Sequence, residues 1–389
     1  MNMNHKKIGI CACYDTRNYG SMLQALATQI KIEKLGYESE FIVYKKKKDL
    51  LFILKQIPRV LNKNLINDKI LKLRKKMIMK KHPVVMEKEN VREKYFSNFK
   101  QEYYHSFSDV NYGYNELKRN ASQYKAVVVG SDQLWTPGGL GSNFYNLMFV
   151  PDDVKKISYA TSFGVSDIPW YQIKRTKEYL KRINYLSVRE VSGAKIIEKY
   201  AGKKAKVVCD PTLLLTCEEW KEMIPEKRLI EESYIFCYFL GENKKHRDIA
   251  NELKEKTGLK IVTTPFLDSF VKEDLNFGDE MRFDVGPNDF VNLIRGAEYI
   301  LTDSFHGSVF SILNKKQFII LNRYDDNSSN SRNSRIDSFC TLLGVEDRRY
   351  KKDIYESMIK PINYELVKVK EELFRQESVL YLEQALKGI

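Results

Sequence analysis

Asp303, Ser304, His306, Gly307 and Ser308 lie between two apolar runs. Tyr299-Ile300-Leu301 reads as a short buried strand, and Val309-Phe310-Ser311-Ile312-Leu313 as the start of an apolar helix. A strand that passes through a small-residue turn into a helix sets backbone N–H groups and the positive helix end at a sheet's C-terminal edge. A phosphate binds readily there. His306 is the residue of this turn that can move a proton near neutral pH. A helix cap by Ser304 or Asp303 beside a packed histidine explains the same pattern without chemistry, so the turn needs partners elsewhere in the chain.

Such partners stand at the ends of other strand-like runs. Tyr124–Val129 is nearly all apolar and ends in Gly130-Ser131-Asp132-Gln133. Ile157–Thr161 leads into Ser162-Phe163-Gly164, and Tyr185-Leu186-Ser187-Val188 ends in Arg189-Glu190. Together they suggest a metal-free site: anion-binding backbone, Arg189 and Arg335 as cations, His306 as acid or base, Asp132 as carboxylate. Taken alone, Arg189 reads first as structural, and Asp132 reads equally well as a helix cap. No metal centre is expected, because His5, His82, His105, His246 and His306 are scattered and no Asp-x-Asp is present to hold a divalent ion against a diphosphate. A serine-hydrolase triad within 303–308 is excluded by the geometry of a tight turn, and there is no Gly-x-Ser-x-Gly elbow.

The elements that must position these residues alternate. Lys7–Cys13 reads as a strand, Tyr14–Gly20 as a loop, and Met22, Leu23, Leu26, Ile30 and Leu35 as one face of a helix stopped by Gly36. Glu40–Tyr44 follows as a strand, without a Gly-x-Gly-x-x-Gly dinucleotide fingerprint in the loop before the helix. Val91–Phe107 reads as a helix. A second series starts at Ala205–Cys209 before Asp210-Pro211-Thr212, with strands at Tyr234–Phe239, Leu259–Thr263 and Phe318–Leu321 and a helix at Phe290–Arg295. The segment from Asn363 to Leu386 reads as one capped helix with Leu366, Val369, Leu373 and Leu380 on its apolar face. Two β-α series imply two doubly wound parallel sheets, with functional residues in the cleft between strand C-termini. The chain of 389 residues exceeds one compact core and fits two domains of roughly 150–200 residues each.

The net charge of +14 is concentrated in one segment. Residues 45–81 hold 14 Lys or Arg against Asp49 and Asp68, which is +12. Within it Leu50, Ile53, Leu54, Ile57 and Leu61 recur at helical spacing with Lys55, Arg59 and Lys63 between them, a pattern suited to an anionic membrane surface or to a solvated hairpin. No basic-aromatic sheet pattern or helix-turn-helix accompanies the charge, so nucleic acid is not an expected partner. The six cysteines form no Cys-x-x-Cys pair and read as reduced core residues of a cytoplasmic protein. No stretch reads as a signal peptide or a membrane span.

The order and spacing of several stretches resemble the polysaccharide pyruvyl transferase family over nearly the whole chain apart from the basic insertion. They are Asn18-Tyr19-Gly20, Val128 to Trp135, Ile157 to Gly164, Ser187 to Glu190, Asp210 to Leu214, and Thr302 to Gly307. The resemblance implies a GT-B-like architecture of two Rossmann-like domains facing across a cleft. The expected layout is an acceptor-side domain at 1–184 carrying a basic helical insertion at 45–107, and a phosphoenolpyruvate-side domain at 185–360. The segment 361–389 is expected to be a helix crossing back to the first domain.

The same resemblance implies metal-independent transfer of the pyruvyl unit from phosphoenolpyruvate onto a sugar or lipid-linked oligosaccharide acceptor, with no cofactor. His306, Asp132 and Arg189 would be catalytic. Asn18, Gly20, Ser131, Gln133, Ser162, Ser304, Gly307, Ser308 and Arg335 would bind substrate, with N–H groups of Gly307 and Ser308 holding the anion. Some ketal-forming relatives carry an arginine two residues before the histidine. This chain has Ser304 there, and Arg335 or Arg323 is the candidate replacement. A glycosyltransferase of the same shape with a nucleotide-sugar donor is the alternative enzyme, and a membrane-peripheral scaffold the non-enzyme one.

Overall fold

The computed structural model describes residues 7–47, 80–137, 143–265, 270–323 and 334–389, with single helical positions at 70, 73 and 77. Two parallel sheets organise the chain. The first contains β1 (Ile8–Cys11), β2 (Ser39–Phe41), β3 (Ala126–Val129) and β4 (Lys155–Ser158) in the order β2-β1-β3-β4. Bridges from Tyr185 to Ile157 and from Val188 to Thr161 bring β5 (Ser187–Val188) beside β4, and β5 pairs with β6 (Lys206–Val207). The second sheet is β9-β8-β7-β10-β11, from β7 (Tyr234–Tyr238), β8 (Lys260–Thr263), β9 (Glu280–Met281), β10 (Tyr299–Thr302) and β11 (Gln317–Ile320). Both sheets are parallel throughout. Their central strands, Ala-Val-Val-Val in β3 and Tyr-Ile-Phe-Cys-Tyr in β7, are wholly buried, as strands covered on both faces must be.

Each sheet reverses its winding once, between β1 and β3 in the first and between β7 and β10 in the second. The strands on either side of such a reversal send their connections to opposite faces, which opens a crevice at their C-terminal ends. Residues 12–18 and 130–133 border the first crevice, and residues 239–241 and 303–306 the second.

The expected division at 184/185 is corrected. Because β5 and β6 extend the first sheet, the chain leaves that sheet after Val207 and enters the second at Tyr234. A two-residue strand shows no periodicity, and its sheet is chosen by neighbours distant in sequence.

Helix α1 (Tyr19–Lys34) fills the space between the sheets and is almost wholly buried. Tyr19 stacks on Phe96 at 5.0 Å and on Phe290 at 4.7 Å, and its hydroxyl donates to Val285 O. Phe96 belongs to α2 (Pro83–Tyr103), which opens on a proline suited to a first helical position. Phe290 belongs to α3 (Pro287–Gly296) beside the second sheet. One hydrophobic core therefore holds Ile10 and Val128 together with Phe236 and Ile300. Buried Arg92 of α2 donates to Glu89 Oε1 and Pro265 O, both at 2.6 Å, which fixes α2 across the two halves. Leu50, Ile53, Leu54, Ile57 and Leu61 of the basic segment lie outside the described residues. All six cysteines are unpaired, and no helix among the described residues is long and apolar enough to cross a membrane.

The site also draws on α4 (Phe305–Leu313) and α5 (Ser334–Leu343). The last helix, α6 (Tyr364–Leu386), is capped by the Asn363 side chain, which accepts from Leu366 N. Its first residue, Tyr364, donates to Lys316 O beside the second sheet. Further along, Tyr381 Oη donates to Ser158 O at 3.0 Å and Tyr37 Oη to Leu386 O at 2.9 Å, both in the first half.

The packed face of α6 is not the one expected. Val367, Ser378, Leu382, Ala385 and Leu386 are buried, whereas Leu366, Val369, Leu373 and Leu380 are exposed. The helix carries two apolar stripes, and the one set by Val367, Leu382 and Leu386 meets the core. Leu382→Ala should therefore lower stability by about 2–5 kcal/mol, and Leu366→Ala should change it by no more than about 0.5 kcal/mol. Chemical denaturation of the two variants checks the assignment.

Candidate active site

Successive strands of the first sheet deliver polar residues to a common edge. Asp132 follows β3, Ser162 follows β4, Arg189 and Glu190 follow β5, and Asp210 follows β6. From the second sheet, β10 ends at Thr302 and the chain turns through Asp303 and Ser304 into α4, which carries His306 at its second position. The two edges meet, because Gly20 at the start of α1 lies directly against His306. A Cβ at position 20 would collide with the imidazole, so glycine is required by close approach.

Asp210 is the hub. Its Oδ1 accepts from Thr212 N at 3.1 Å and Thr212 Oγ1 at 2.7 Å, which fixes the carboxylate against its own backbone. Its Oδ2 accepts from Arg189 Nη1 at 2.6 Å, with His306 Nε2 at 3.5 Å and Ser131 Oγ at 3.1 Å from the same oxygen. Burial opposes charge on Asp210, but His306, Arg189 and the Thr212 hydroxyl outweigh it and hold the carboxyl far below the usual range.

Asp132 sits on the other side of the same guanidinium, with Oδ1 at 3.5 Å from Arg189 Nη2 and Oδ2 accepting from Ser21 Oγ at 2.6 Å. Its backbone has φ +74°, a left-handed conformation that aspartate tolerates better than most residues. Against the cost of burial, Arg189, His306 and the Ser21 hydroxyl keep this carboxyl low as well. Asp132 keeps 21% of its side-chain surface exposed against 2% for Arg189, so it is the member of the pair that reaches solvent.

Arg189 also stacks on Phe305 of the opposite half, 4.5 Å from the ring centroid. Its Nε and Nη2 are buried and have no hydrogen-bond partner, as do His306 Nε2 and Arg335 Nε. Arg335, on α5, is buried near Arg189, Asp132, Glu190 and Arg323. Burial first, then repulsion from Arg189, push its guanidinium down to about 9 despite the carboxylates. Arginine surrenders its proton with great difficulty, so this shift marks a cation short of negative charge. The edge thus gathers buried nitrogen donors of Arg189, Arg335 and His306 whose hydrogen-bonding capacity the protein does not fully use.

Several expected binding residues hold the frame instead. Asn18 caps α1 by accepting from Ser21 N, and Ser304 caps α4 by accepting from Gly307 N. Ser308 N donates to Ser304 O, so the N–H groups of Gly307 and Ser308 are spent inside the cap and are not the anion cradle expected of them. The N–H groups of Phe305 and His306 occupy the first two helical positions, which have no intrahelical partner. Ser162 Oγ donates to Glu190 Oε1, whose carboxyl burial raises toward neutrality against Arg189 and Arg335. Buried Ser131 ties Gln24 to Asp210, and Gln133 N donates to Asp132 Oδ1 at 2.8 Å. Asp303 accepts from Leu240 N and Gly241 N, which pins the second crevice, and Arg323 bonds its carbonyl at 3.0 Å.

Sequence reasoning gave no role to Asp210, Ser21 or Glu190. A carboxylate directly after a strand, the signal that marked Asp132, was present at Asp210 too. Arg189 was expected in the second half, but it shares the first sheet with Asp132, and His306 alone of the three crosses from the second.

The family model for polysaccharide pyruvyl transferase matches residues 18–326. No curated protein matches the sequence. Among solved structures, the chain is similar to UDP-GlcNAc 2-epimerase from Methanocaldococcus jannaschii (TM-score 0.46, 11% identity, 94% of this chain and 99% of that one). It is also similar to the glycosyltransferase SnogD from Streptomyces nogalater (TM-score 0.43, 12% identity, 98% of each chain). A third is MurG from Acinetobacter baumannii (TM-score 0.41, 8% identity, 99% of this chain and 100% of that one).

Asp210→Ala would strand the buried Arg189 with only Asp132 at 3.5 Å, and should cost about 3–5 kcal/mol of stability. Gly20→Ala displaces His306 without uncovering a charge. It should abolish turnover while lowering the melting temperature far less than Asp210→Ala, which thermal unfolding and activity measured side by side would check.

Proposed function

The chain belongs to the polysaccharide pyruvyl transferase family, and on that premise we propose that it forms a ketal between the pyruvyl unit of phosphoenolpyruvate and a sugar of a cell-surface polysaccharide precursor, without a metal ion. The observation that carries this reading is the set of buried nitrogens on Arg189, Arg335 and His306 that make no hydrogen bond within the protein, although Asp132 and Asp210 stand 3.5 Å from two of them. Phosphoenolpyruvate brings a carboxylate and a phosphate on one carbon, which suits two guanidiniums in one pocket.

In this reading Arg189 offers its Nε–Nη2 edge as a fork to one anionic group, and Arg335 with the first N–H groups of α4 takes the other. His306 gives a proton to the methylene carbon, and the charge that develops at C2 is met by a sugar hydroxyl. The C2–phosphate bond breaks, inorganic phosphate leaves, and a second hydroxyl closes the ketal. One hydroxyl proton is taken up by Asp132 and returns through solvent to His306, replacing the proton given to carbon, and the other leaves on the phosphate. Asp132, which reaches solvent, orients the acceptor hydroxyl.

Arg189 and His306 lower the Asp132 carboxyl against its burial and so weaken it as a base while the donor is absent. Donor charges that neutralise Arg189 and Arg335 remove much of the pull on Asp132, so its basicity rises when there is something to deprotonate. Arg335 supplies from α5 the charge that an arginine at position 304 supplies in some relatives.

The acceptor in this proposal is a lipid-linked oligosaccharide at the inner face of a cell membrane, reached through the +12 charge of residues 45–81. Deleting 45–81 should weaken sedimentation with anionic liposomes, more so at low salt, and spare activity on a water-soluble acceptor. Equal partitioning of the intact and deleted proteins would overturn the membrane contact.

Phosphoenolpyruvate, and not a nucleotide sugar, should raise the melting temperature of the purified protein. Stabilisation by nucleotide sugars alone would favour the glycosyltransferase reading. Arg335→Ala should abolish the phosphoenolpyruvate shift. His306→Ala should keep most of the shift while losing about 100- to 1000-fold in rate.

A further inference from the structure

Helix α6 is apolar on two opposite sides, and only one of them is used. Val367, Ser378, Leu382, Ala385 and Leu386 face the body, with Ser378 Oγ accepting from Cys209 N at 2.9 Å. Leu366, Val369, Leu373 and Leu380 face outward and are 49%, 56%, 58% and 52% exposed. Their spacing of three, four and seven residues is that of the a and d positions of a coiled-coil seam, with Gln376 at the intervening d position. At 3.6 residues per turn the four side chains project within about 60° of one another.

We propose that this outer stripe is the seam of a homodimer in which two copies of α6 pack antiparallel about a two-fold axis. The charges beside the stripe choose this occupant. Lys370 and Glu377 flank it on one side, Glu365 and Glu372 on the other. An antiparallel pair centred between Leu373 and Gln376 sets Val369 against Leu380 of the second copy and Lys370 against its Glu377, and the two-fold axis makes each contact twice. A parallel pair in register would set Glu365 beside Lys370 of the second copy but also Glu372 beside its Glu377, so one attractive contact is cancelled by a like-charge one, whereas both flanking contacts of the antiparallel pair attract. An anionic membrane is a poor occupant, because three of the four flanking charges are negative.

Glu377 pairs at the surface with Lys206 at 2.7 Å and remains 62% exposed, so it is still reachable. Four half-exposed side chains per copy offer less than the ~800 Å² that a stable interface buries on each partner. The dimer is accordingly expected to dissociate on dilution.

Sedimentation velocity of the full chain over about a hundredfold range of concentration should show a monomer–dimer equilibrium. Leu373→Glu should leave only monomer with unchanged melting temperature and activity, since Leu373 touches neither the core nor the site. Lys370→Glu and Glu377→Lys should each weaken association alone, and an equimolar mixture of the two should recover it, because the antiparallel pair restores both bridges in the mixed dimer. A wild-type chain that stays monomeric throughout, a dimer that survives Leu373→Glu, or a mixture no tighter than either variant alone would overturn the proposal.

Discussion

The buried ion pair between Arg189 and Asp210 is the constraint on which the rest of the site depends. A guanidinium taken out of water must be met by negative charge or it destabilises the fold by several kcal/mol. Asp210 meets it at 2.6 Å and is itself locked by Thr212. With Asp210 fixed, Arg189 has one edge committed and one edge open, and the open edge faces Asp132 and the cleft. His306 then completes the group from the other half, within 3.5 Å of the same Asp210 oxygen. The pair thus does more than neutralise a charge. It sets the direction in which the remaining donors point.

These residues meet because of how the sheets are wound. Parallel strands deliver their following residues to one edge, and a reversal of winding opens that edge to a ligand. Both halves place their polar turns at such an edge, and α1 with the stacked Tyr19, Phe96 and Phe290 holds the two edges at a fixed distance. The close approach of Gly20 and His306 is where this fixing is tightest. Any change in the tilt of α1 is felt directly by the imidazole.

Much of this was legible in the sequence, and the failures have physical reasons. The turn at 303–308, the charged strand end at Arg189 and the carboxylate at Asp132 could be read because short apolar runs ending in small or polar residues are local features. The sheet to which Ser187–Val188 belongs is not local. It is decided by Ile157 and Thr161, well back in the chain, so the boundary between halves was misplaced and Arg189 was assigned to the wrong side. In α6 the periodicity of Leu366, Val369, Leu373 and Leu380 was real, but a helix with two apolar stripes does not announce which one the core will take. Ser162, Ser304 and Ser308 were read as ligand contacts because small polar residues at strand ends serve caps and sites equally. Only the hydrogen bonds to Glu190 and within α4 separate the two uses.

Ser304 shows how the cap and the charge are divided in this chain. A serine at this position accepts from Gly307 N and secures the first turn of α4, a role for which an arginine side chain has no acceptor. A cation near this turn, Arg335, comes instead from α5, where burial and the neighbouring Arg189 push its guanidinium down against the pull of Asp132 and Glu190. Placing the cation on a separate helix leaves the histidine turn stiffly capped and puts the second guanidinium under the control of a different part of the fold.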